Sequence, residues 1–171
     1  MKRTFIIILT LILLVATAVL IFGFSAQTAD ESSGLSVQVA RFFVAILTPD
    51  FGELSASAQR ELIASVHGLV RKAAHFTEYA VLGLVLAAHL RAVLPELGIL
   101  SVSGIAALLG AAYALFDEWH QFFVDGRDAQ LLDVLIDSAG ILCGVAVLGL
   151  FLYLGGRPRG GRTEKYYGEE P

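Results

Sequence analysis

The stretch that decides the fold is residues 5–24, which read FIIILTLILLVATAVLIFGF. It contains no charged residue, and a helix of this length, rising about 1.5 Å per residue, crosses a bilayer core of about 30 Å. Lys2 and Arg3 before it would also suit a secretory signal peptide, but the apolar run exceeds the roughly 7–15 residues of a signal h-region. We therefore predict a retained first transmembrane helix, at about residues 4–24.

Three further segments, outward from this helix, are apolar enough to span a bilayer: about residues 73–90, 97–117 and 133–155. The first of them is the least clean, because it admits His75, Glu78 and His89. The composition points the same way: 56% of residues are hydrophobic and 16% are charged, whereas a soluble domain has about 25% charged residues. The sequence therefore predicts an all-α, multi-pass transmembrane helical bundle with four spanning helices.

The loop between the first two spans, residues 25–70, is too long for a turn and carries two apolar stripes at helical spacing. The first stripe is Leu35, Val39, Phe42 and Ile46, and the second is Leu54, Ala58, Leu62, Val66 and Leu69. We predict one or two interfacial helices here, the second of them able to continue into span two; a partly disordered loop is the alternative. The transmembrane domain then covers residues 1–156, followed by a tail at 157–171.

Lysine and arginine predict the orientation in the cell membrane. With the N-terminus inside, the cytoplasmic segments hold seven basic and four acidic residues, and the outer segments hold five basic and twelve acidic ones. Because basic residues favour the cytoplasmic side, we expect both termini there. The net charge of −4 argues against nucleic acid as a partner, and the lipid bilayer is the expected one.

Three separated segments carry polar residues that a membrane helix avoids without a reason. They lie at the start of span two, the end of span three and the start of span four, which the topology places together at the outer end. Helical spacing puts His75 beside Glu78 and Asp117 beside Gln121. The candidate catalytic residues are His75, Glu78, Asp117 and Glu118. The candidate binding residues are Arg71, Lys72, Tyr79, Gln121, Arg127, Asp133 and Asp137.

These residue types suit proton transfer and the binding of an anion. His75 titrates near neutral pH as acid or base, and Arg127 is suited to bidentate contact with a phosphate or carboxylate. The structural alternative is that the groups only lock the helices, through ion pairs of Arg127 with Asp133 and of Arg71 with Glu78. Neither HExxH nor a Cys/His spacing occurs, so a metal site is the weaker hypothesis, and we predict no bound metal or cofactor.

The polar segments match a known family, in order, over roughly residues 5–150. The matching features are Phe24-Ser25-Ala26-Gln27, Arg71-Lys72-x-x-His75-Phe76-x-Glu78-Tyr79, Asp117-Glu118-x-x-Gln121-x-Phe123-x-x-Gly126-Arg127, and Asp133 followed by Asp137 and Gly140. They resemble the VanZ-like family of bacterial integral membrane proteins. The resemblance implies a protein of the cell envelope, and the member that names the family is linked to low-level resistance to the glycopeptide antibiotic teicoplanin.

Taken together, the polar cluster and the resemblance give one leading hypothesis for function. It is a VanZ-like envelope protein whose outer-facing polar site binds or processes a lipid-linked or cell-wall precursor and affects susceptibility to teicoplanin, with catalysis left open. One alternative is a non-enzymatic helper or regulatory subunit, with another membrane protein as partner. The other is a small transporter, disfavoured because the middles of spans one, three and four are nearly free of charge.

Overall fold

Helices make up almost all of the chain in the computed structural model, which describes residues 1–127 and 130–155. The elements of this part are α1 (Lys2–Ser25), α2 (Ala29–Leu47), a 3-10 turn (Phe51–Glu53), α3 (Ala56–Val93), α4 (Ile99–Gln121) and α5 (Leu131–Gly155). Four of them, α1, α3, α4 and α5, are long and apolar enough to cross a membrane. The predicted all-α, four-span bundle is therefore confirmed. The predicted tail, 157–171, lies outside the described residues.

The longest helix, α3, organises the bundle, because it contacts each of the other four helices. Ser55 caps its start by accepting a hydrogen bond from the backbone N–H of Ala58 (3.3 Å). Its 38 residues extend about 57 Å, nearly twice the bilayer core of about 30 Å. The second stripe of the loop and span two thus form one continuous helix, which is longer than the apolar core requires.

Glycines allow α5 to lie directly against α3. A Cβ on Gly140 would collide with the backbone carbonyl of Phe76, and a Cβ on Gly144 would collide with that of Ala80. Two helix backbones approach this closely only where small residues line the contact. The approach fixes the register between the polar start of α5 and the polar turns of α3.

Helix α2 is the helix predicted in the first loop. It begins with a capping box, in which Thr28 and Glu31 each satisfy a backbone N–H of the other. Ala40 and Val44 on its inner face are buried in a cluster with Ile63 of α3. Its outer face exposes phenylalanine and leucine side chains, which fits a helix that contacts lipid as well as protein.

The polar residues gather at one end of the bundle, where α1 and α4 stop and α5 begins; we call this the polar end. At the opposite end, Arg3 donates to the backbone carbonyl of Ala92 (3.2 Å). Between the two ends, Thr10 Oγ1 and His89 Nδ1 are 3.0 Å apart. The first turns of α1 are thus fastened to the last turns of α3, well away from the polar end.

Candidate functional site

Two helices bring most of the candidate residues together at the polar end. Arg71, His75 and Glu78 follow one another at intervals of four and three residues, so they lie along one face of α3. Asp117 and Gln121 lie one turn apart on α4. The charge of Asp117 acts on both His75 and Glu78, so the polar faces of the two helices are close to each other.

A buried hydrogen-bonded cluster joins the end of α1 to the end of α4. Ser25 Oγ donates to Asp117 Oδ2 (2.7 Å). Gln121 Nε2 donates to the same carboxylate oxygen (3.0 Å) and to Ser25 Oγ (3.3 Å). Ser25 is 0% exposed and Asp117 is 1% exposed. Since a buried carboxylate is costly unless it accepts hydrogen bonds, the serine and the amide stabilise Asp117 at this position.

Arg127, in the connection after α4, closes the same corner of the bundle. Its Nε donates to the carbonyl of Gln27 (2.9 Å), its Nη2 to that of Phe24 (3.0 Å) and its Nη1 to Oε1 of Gln121 (3.0 Å). Burial lowers the pKa of Arg127, and the neighbouring Arg71 acts in the same direction, yet a guanidinium stays charged at neutral pH. Two of its five N–H donors therefore hold the chain at the end of α1 and one holds Gln121 of α4, so two are not engaged within the described residues.

Lys72 and Asp133 tie α3 to α5 across the site. Lys72 Nζ lies 3.2 Å from Asp133 Oδ1, and both side chains are partly exposed. This is the one ion pair between basic and acidic side chains within the described residues. The alternative pairs considered from the sequence, Arg127 with Asp133 and Arg71 with Glu78, do not form there.

Glu118 faces a different side of α4 from Asp117. Its Oε1 accepts a hydrogen bond from the backbone N–H of Gln130, just before α5. It also lines a groove between α4 and α5, together with Trp119 and Phe122. Glu118 therefore orders the connection between these two helices and lines neither the middle nor the polar pocket.

Several buried polar atoms at the polar end have no hydrogen bond within the described part of the chain. They include His75 Nδ1, Glu118 Oε2 and Asp137 Oδ1. Tyr79 is 0% exposed and Asp137 2%, and the charge of Asp117 acts on both. An unsatisfied buried polar group costs about 1–3 kcal/mol. Each of these atoms therefore calls for a partner, such as a water or a group of a ligand.

Three cavities adjoin one another along the polar face of α3. The lateral groove, about 550 Å³, runs between α1, α2 and α3 and is almost entirely apolar, with Glu78 as the charged residue in its wall. The middle pocket, about 130 Å³, is walled by Arg71, His75 and Glu78 and by residues of α2. The polar pocket, about 100 Å³, also contains Arg71 and His75. Because neighbouring cavities share wall residues, the apolar groove adjoins the middle pocket, which in turn adjoins the polar pocket.

Access divides the predicted residues into two groups. Those that line the middle or the polar pocket are Arg71, His75, Glu78, Gln121, Arg127 and Asp133. Those that are buried or held in ties between helices are Lys72, Tyr79, Asp117, Glu118 and Asp137. The first group is reached from the two pockets, and the second group does not line them.

Three residues of the site escaped prediction. Ser25 binds the buried carboxylate, the carbonyl of Gln27 accepts from Arg127, and the backbone of Gln130 donates to Glu118. The first two stand in the Phe24-Ser25-Ala26-Gln27 segment, whose match to the family motif was the available signal. Gln130 donates through its backbone N–H, and such a contact cannot be predicted from the residue type.

The donor set of the site is unlike that of a metal centre. In residues 1–127 and 130–155, no group of three or more His, Cys, Asp or Glu side chains is placed to hold a metal ion. The pockets offer instead a guanidinium, an imidazole and a carboxylate beside apolar surface. Such a set can bind an anionic amphiphile and move a proton.

Comparison with known proteins identifies the family. No curated protein and no solved structure matches the chain. The family model described as VanZ/LLP1 matches residues 7–152, which include the end of α1 and all three polar segments. The predicted resemblance is thus confirmed, and the four apolar helices agree with a membrane location. On this match, which covers most of its length, the chain belongs to the VanZ/LLP1 family and is a VanZ-like membrane protein of the cell envelope.

Proposed function

We propose that the polar end faces the outside of the cell membrane and there binds or processes a lipid-linked or cell-wall precursor. One observation carries the proposal. His75 and Glu78 share the wall of the middle pocket, which adjoins the apolar lateral groove on one side and the polar pocket on the other. A molecule with an apolar chain and a polar head fits this succession of surfaces.

His75 is the proposed acid or base. An imidazole is the commonest general acid or base in proteins, and Glu78, one turn further along α3, supplies a second group for proton transfer in the same pocket. Arg71 would attract the anionic part of the precursor. Asp117 is too deeply buried to touch it, so we assign Asp117 a positioning role toward His75 and Glu78.

The distribution of charge supports the outward orientation. The segments on the side of the polar end are rich in aspartate and glutamate, whereas Lys2 and Arg3 lie at the other end of α1. Since lysine and arginine are retained on the cytoplasmic side, this arrangement favours cytoplasmic termini. The proposed site then faces the compartment in which wall precursors are used.

The test replaces His75 and Glu78 singly with alanine in cells that depend on the protein, at matched expression. We expect each variant to lose the effect of the wild-type protein on teicoplanin susceptibility and on envelope integrity. The physical reason is that loss of a general acid or base slows proton transfer by about 10²–10⁴-fold. The measurement is the inhibitory concentration of teicoplanin, together with leakage of a dye through the envelope.

Matched controls lie on the same helix, outside the three cavities. His67→Ala and Glu61→Ala remove the same side-chain types from the first half of α3 and should leave the phenotype unchanged. A wild-type phenotype in both His75→Ala and Glu78→Ala would rule out the proposed site. An equal loss in all four variants would point to folding of α3 instead.

The ties between helices favour a second candidate, a non-enzymatic helper of a membrane complex. Lys72 and Asp133 are paired and Arg127 is mostly engaged, as expected of groups that hold a docking surface in shape. Capture of a wall-synthesis protein from solubilised membranes, lost in Lys72→Ala but retained in His75→Gln, would support this function. Retained capture in both variants would favour the chemical role.

A further inference from the structure

We propose that the precursor is a single-chain lipid phosphate, which enters sideways from the membrane with its chain in the lateral groove and its phosphate on Arg71. The inference rests on the proposed function and adds the class of ligand to it. Three features carry it: the extent of the groove, the availability of Arg71, and the size of the polar pocket.

The groove lies where a lipid chain lies. It is formed between α1 and α3, both candidate membrane spans, with α2 beside them. Its wall runs from Thr17 to Phe24 on α1 and from Val70 to Val81 on α3. These stretches are about 10 Å and about 16 Å long, so the groove reaches from the polar end about half-way across a bilayer core of about 30 Å. A chain in the groove therefore belongs to the leaflet at the polar end.

Arg71 is the basic side chain next to this groove whose donors are all unengaged within the described residues. Lys72 is paired with Asp133, and Arg127 donates to the end of α1. Arg71, by contrast, makes no hydrogen bond or ion pair within residues 1–127 and 130–155, and it lines both the middle and the polar pocket. A guanidinium binds a phosphate by two parallel charge-assisted hydrogen bonds.

Neighbouring acids do not oppose a phosphate at Arg71. Asp133, across the polar pocket, is already paired with Lys72. Glu78 is seven residues from Arg71 on α3, about 10 Å along the helix, and it lines the groove and the middle pocket but not the polar pocket. His75 lies between the two and lines the polar pocket beside Arg71. The pocket therefore presents donors to the position of the phosphate.

The sizes of the cavities select a small head and one chain. The polar pocket, about 100 Å³, exceeds several-fold the roughly 10–15 Å³ that a cavity needs to hold one water. A phosphate therefore fits this space. Within the described residues, the middle pocket adjoins one groove, which accommodates one chain, whereas a diacyl lipid would leave its second chain outside.

The experiment measures binding of radiolabelled farnesyl phosphate to the full-length protein in nanodiscs of phosphatidylcholine. Farnesol, which has the same chain without the phosphate, is the matched probe. Arg71→Gln should weaken binding of farnesyl phosphate about tenfold or more, the effect of removing a charge-assisted hydrogen bond, and leave farnesol unchanged. Ala74→Phe, which fills the joint between the groove and the middle pocket, should weaken both probes.

The control for the larger side chain is Ala146→Phe, at an exposed position of α5 outside the three cavities, and it should bind both probes as the wild type does. Equal binding of farnesyl phosphate and farnesol by the wild type would overturn the phosphate site. Wild-type binding by Ala74→Phe would overturn the groove, and displacement by phosphatidylglycerol at equal concentration would identify a diacyl occupant instead. The proposed function is judged separately, by the envelope phenotypes of His75→Ala and Glu78→Ala.

Discussion

Ser25, the last residue of α1, lies entirely inside the protein and holds Asp117 Oδ2 through a hydrogen bond of 2.7 Å. Gln121 donates to the same oxygen. A serine at a helix end is commonplace and usually serves its own backbone. Here it links the first span to the buried carboxylate of the third, so a small change at Ser25 should reach the centre of the site.

We predict that Ser25→Ala lowers the free energy of unfolding by about 1–3 kcal/mol, the cost of leaving a buried acceptor poorly satisfied. Thermal unfolding in detergent, followed by size-exclusion fluorescence, measures the change. Ser65→Ala is the control, because Ser65 is exposed and donates only to the carbonyl of Leu62 in its own helix. An equal shift in the two variants would mean that Ser25 contributes only helix propensity.

At the scale of residues, the sequence predicted which side chains lie together at the polar end, but not which hydrogen-bond partners each of them has. His75, Glu78 and Asp117 could be placed at one end from helical spacing and topology alone. The contacts of Arg127 could not be predicted. Arg127 donates to the backbone carbonyls of Phe24 and Gln27, and every residue has a backbone carbonyl. Only the path of the chain decides which carbonyls lie within reach.

The contact between α3 and α5 shows the same limit at the scale of elements. Gly140-xxx-Gly144 is a pattern that indicates close packing without naming the partner. In the structure the partner is α3, with the carbonyls of Phe76 and Ala80 against the two glycines. His75 directly precedes Phe76, so the packing of α5 determines where the proposed acid or base is held.

We predict opposite effects for the same substitution at two glycines of α5. Gly144→Ala should destabilise the protein by about 1–3 kcal/mol, because its Cβ would overlap the carbonyl of Ala80 and force the helices apart. Gly149→Ala, with nothing within 4 Å of its Cβ, should stabilise the helix by up to about 1 kcal/mol. Unfolding temperatures in detergent test the pair, and a loss of stability at both positions would contradict the packing described.

The sequence could predict that α3 is one continuous helix, but not the residues at which it begins and ends. The apolar stripe that ends at Leu69 keeps the period of a helix, and span two resumes that period after Arg71 and Lys72. The charges at this junction lower the hydropathy of α3 at the point where the helix enters the membrane. These turns are stable there because packing against α5 and α4 shields the polar face of α3 from lipid.

For the whole molecule, composition and the spacing of apolar runs were enough to predict an all-α bundle with four spans, since a bilayer admits few other solutions. The three cavities could not be predicted from the sequence, because each is the space left between helices from distant parts of the chain. Orientation follows from charge alone and remains a prediction.

We predict that a cysteine at Ser57, near the start of α3, reacts with a membrane-impermeant maleimide in intact spheroplasts. A cysteine at Lys2 should react only after permeabilisation, because positive residues retain the N-terminus inside. The native Cys143, exposed on α5, is replaced by alanine in both variants. The reverse pattern of labelling would place the polar end in the cytoplasm and exclude an outward-facing site.

The unequal polarity of the spans has a consequence for synthesis. Of the four, α1 is the most apolar and the least buried, whereas α3 is the least apolar. The ribosome completes α1 first, and such a helix is stable in lipid without partners. The polar face of α3 emerges before α4 and α5 exist to cover it. Insertion of α3 should therefore wait for, or be assisted until, the release of α5, and a nascent chain stopped after α3 should be a preferred target of membrane proteases.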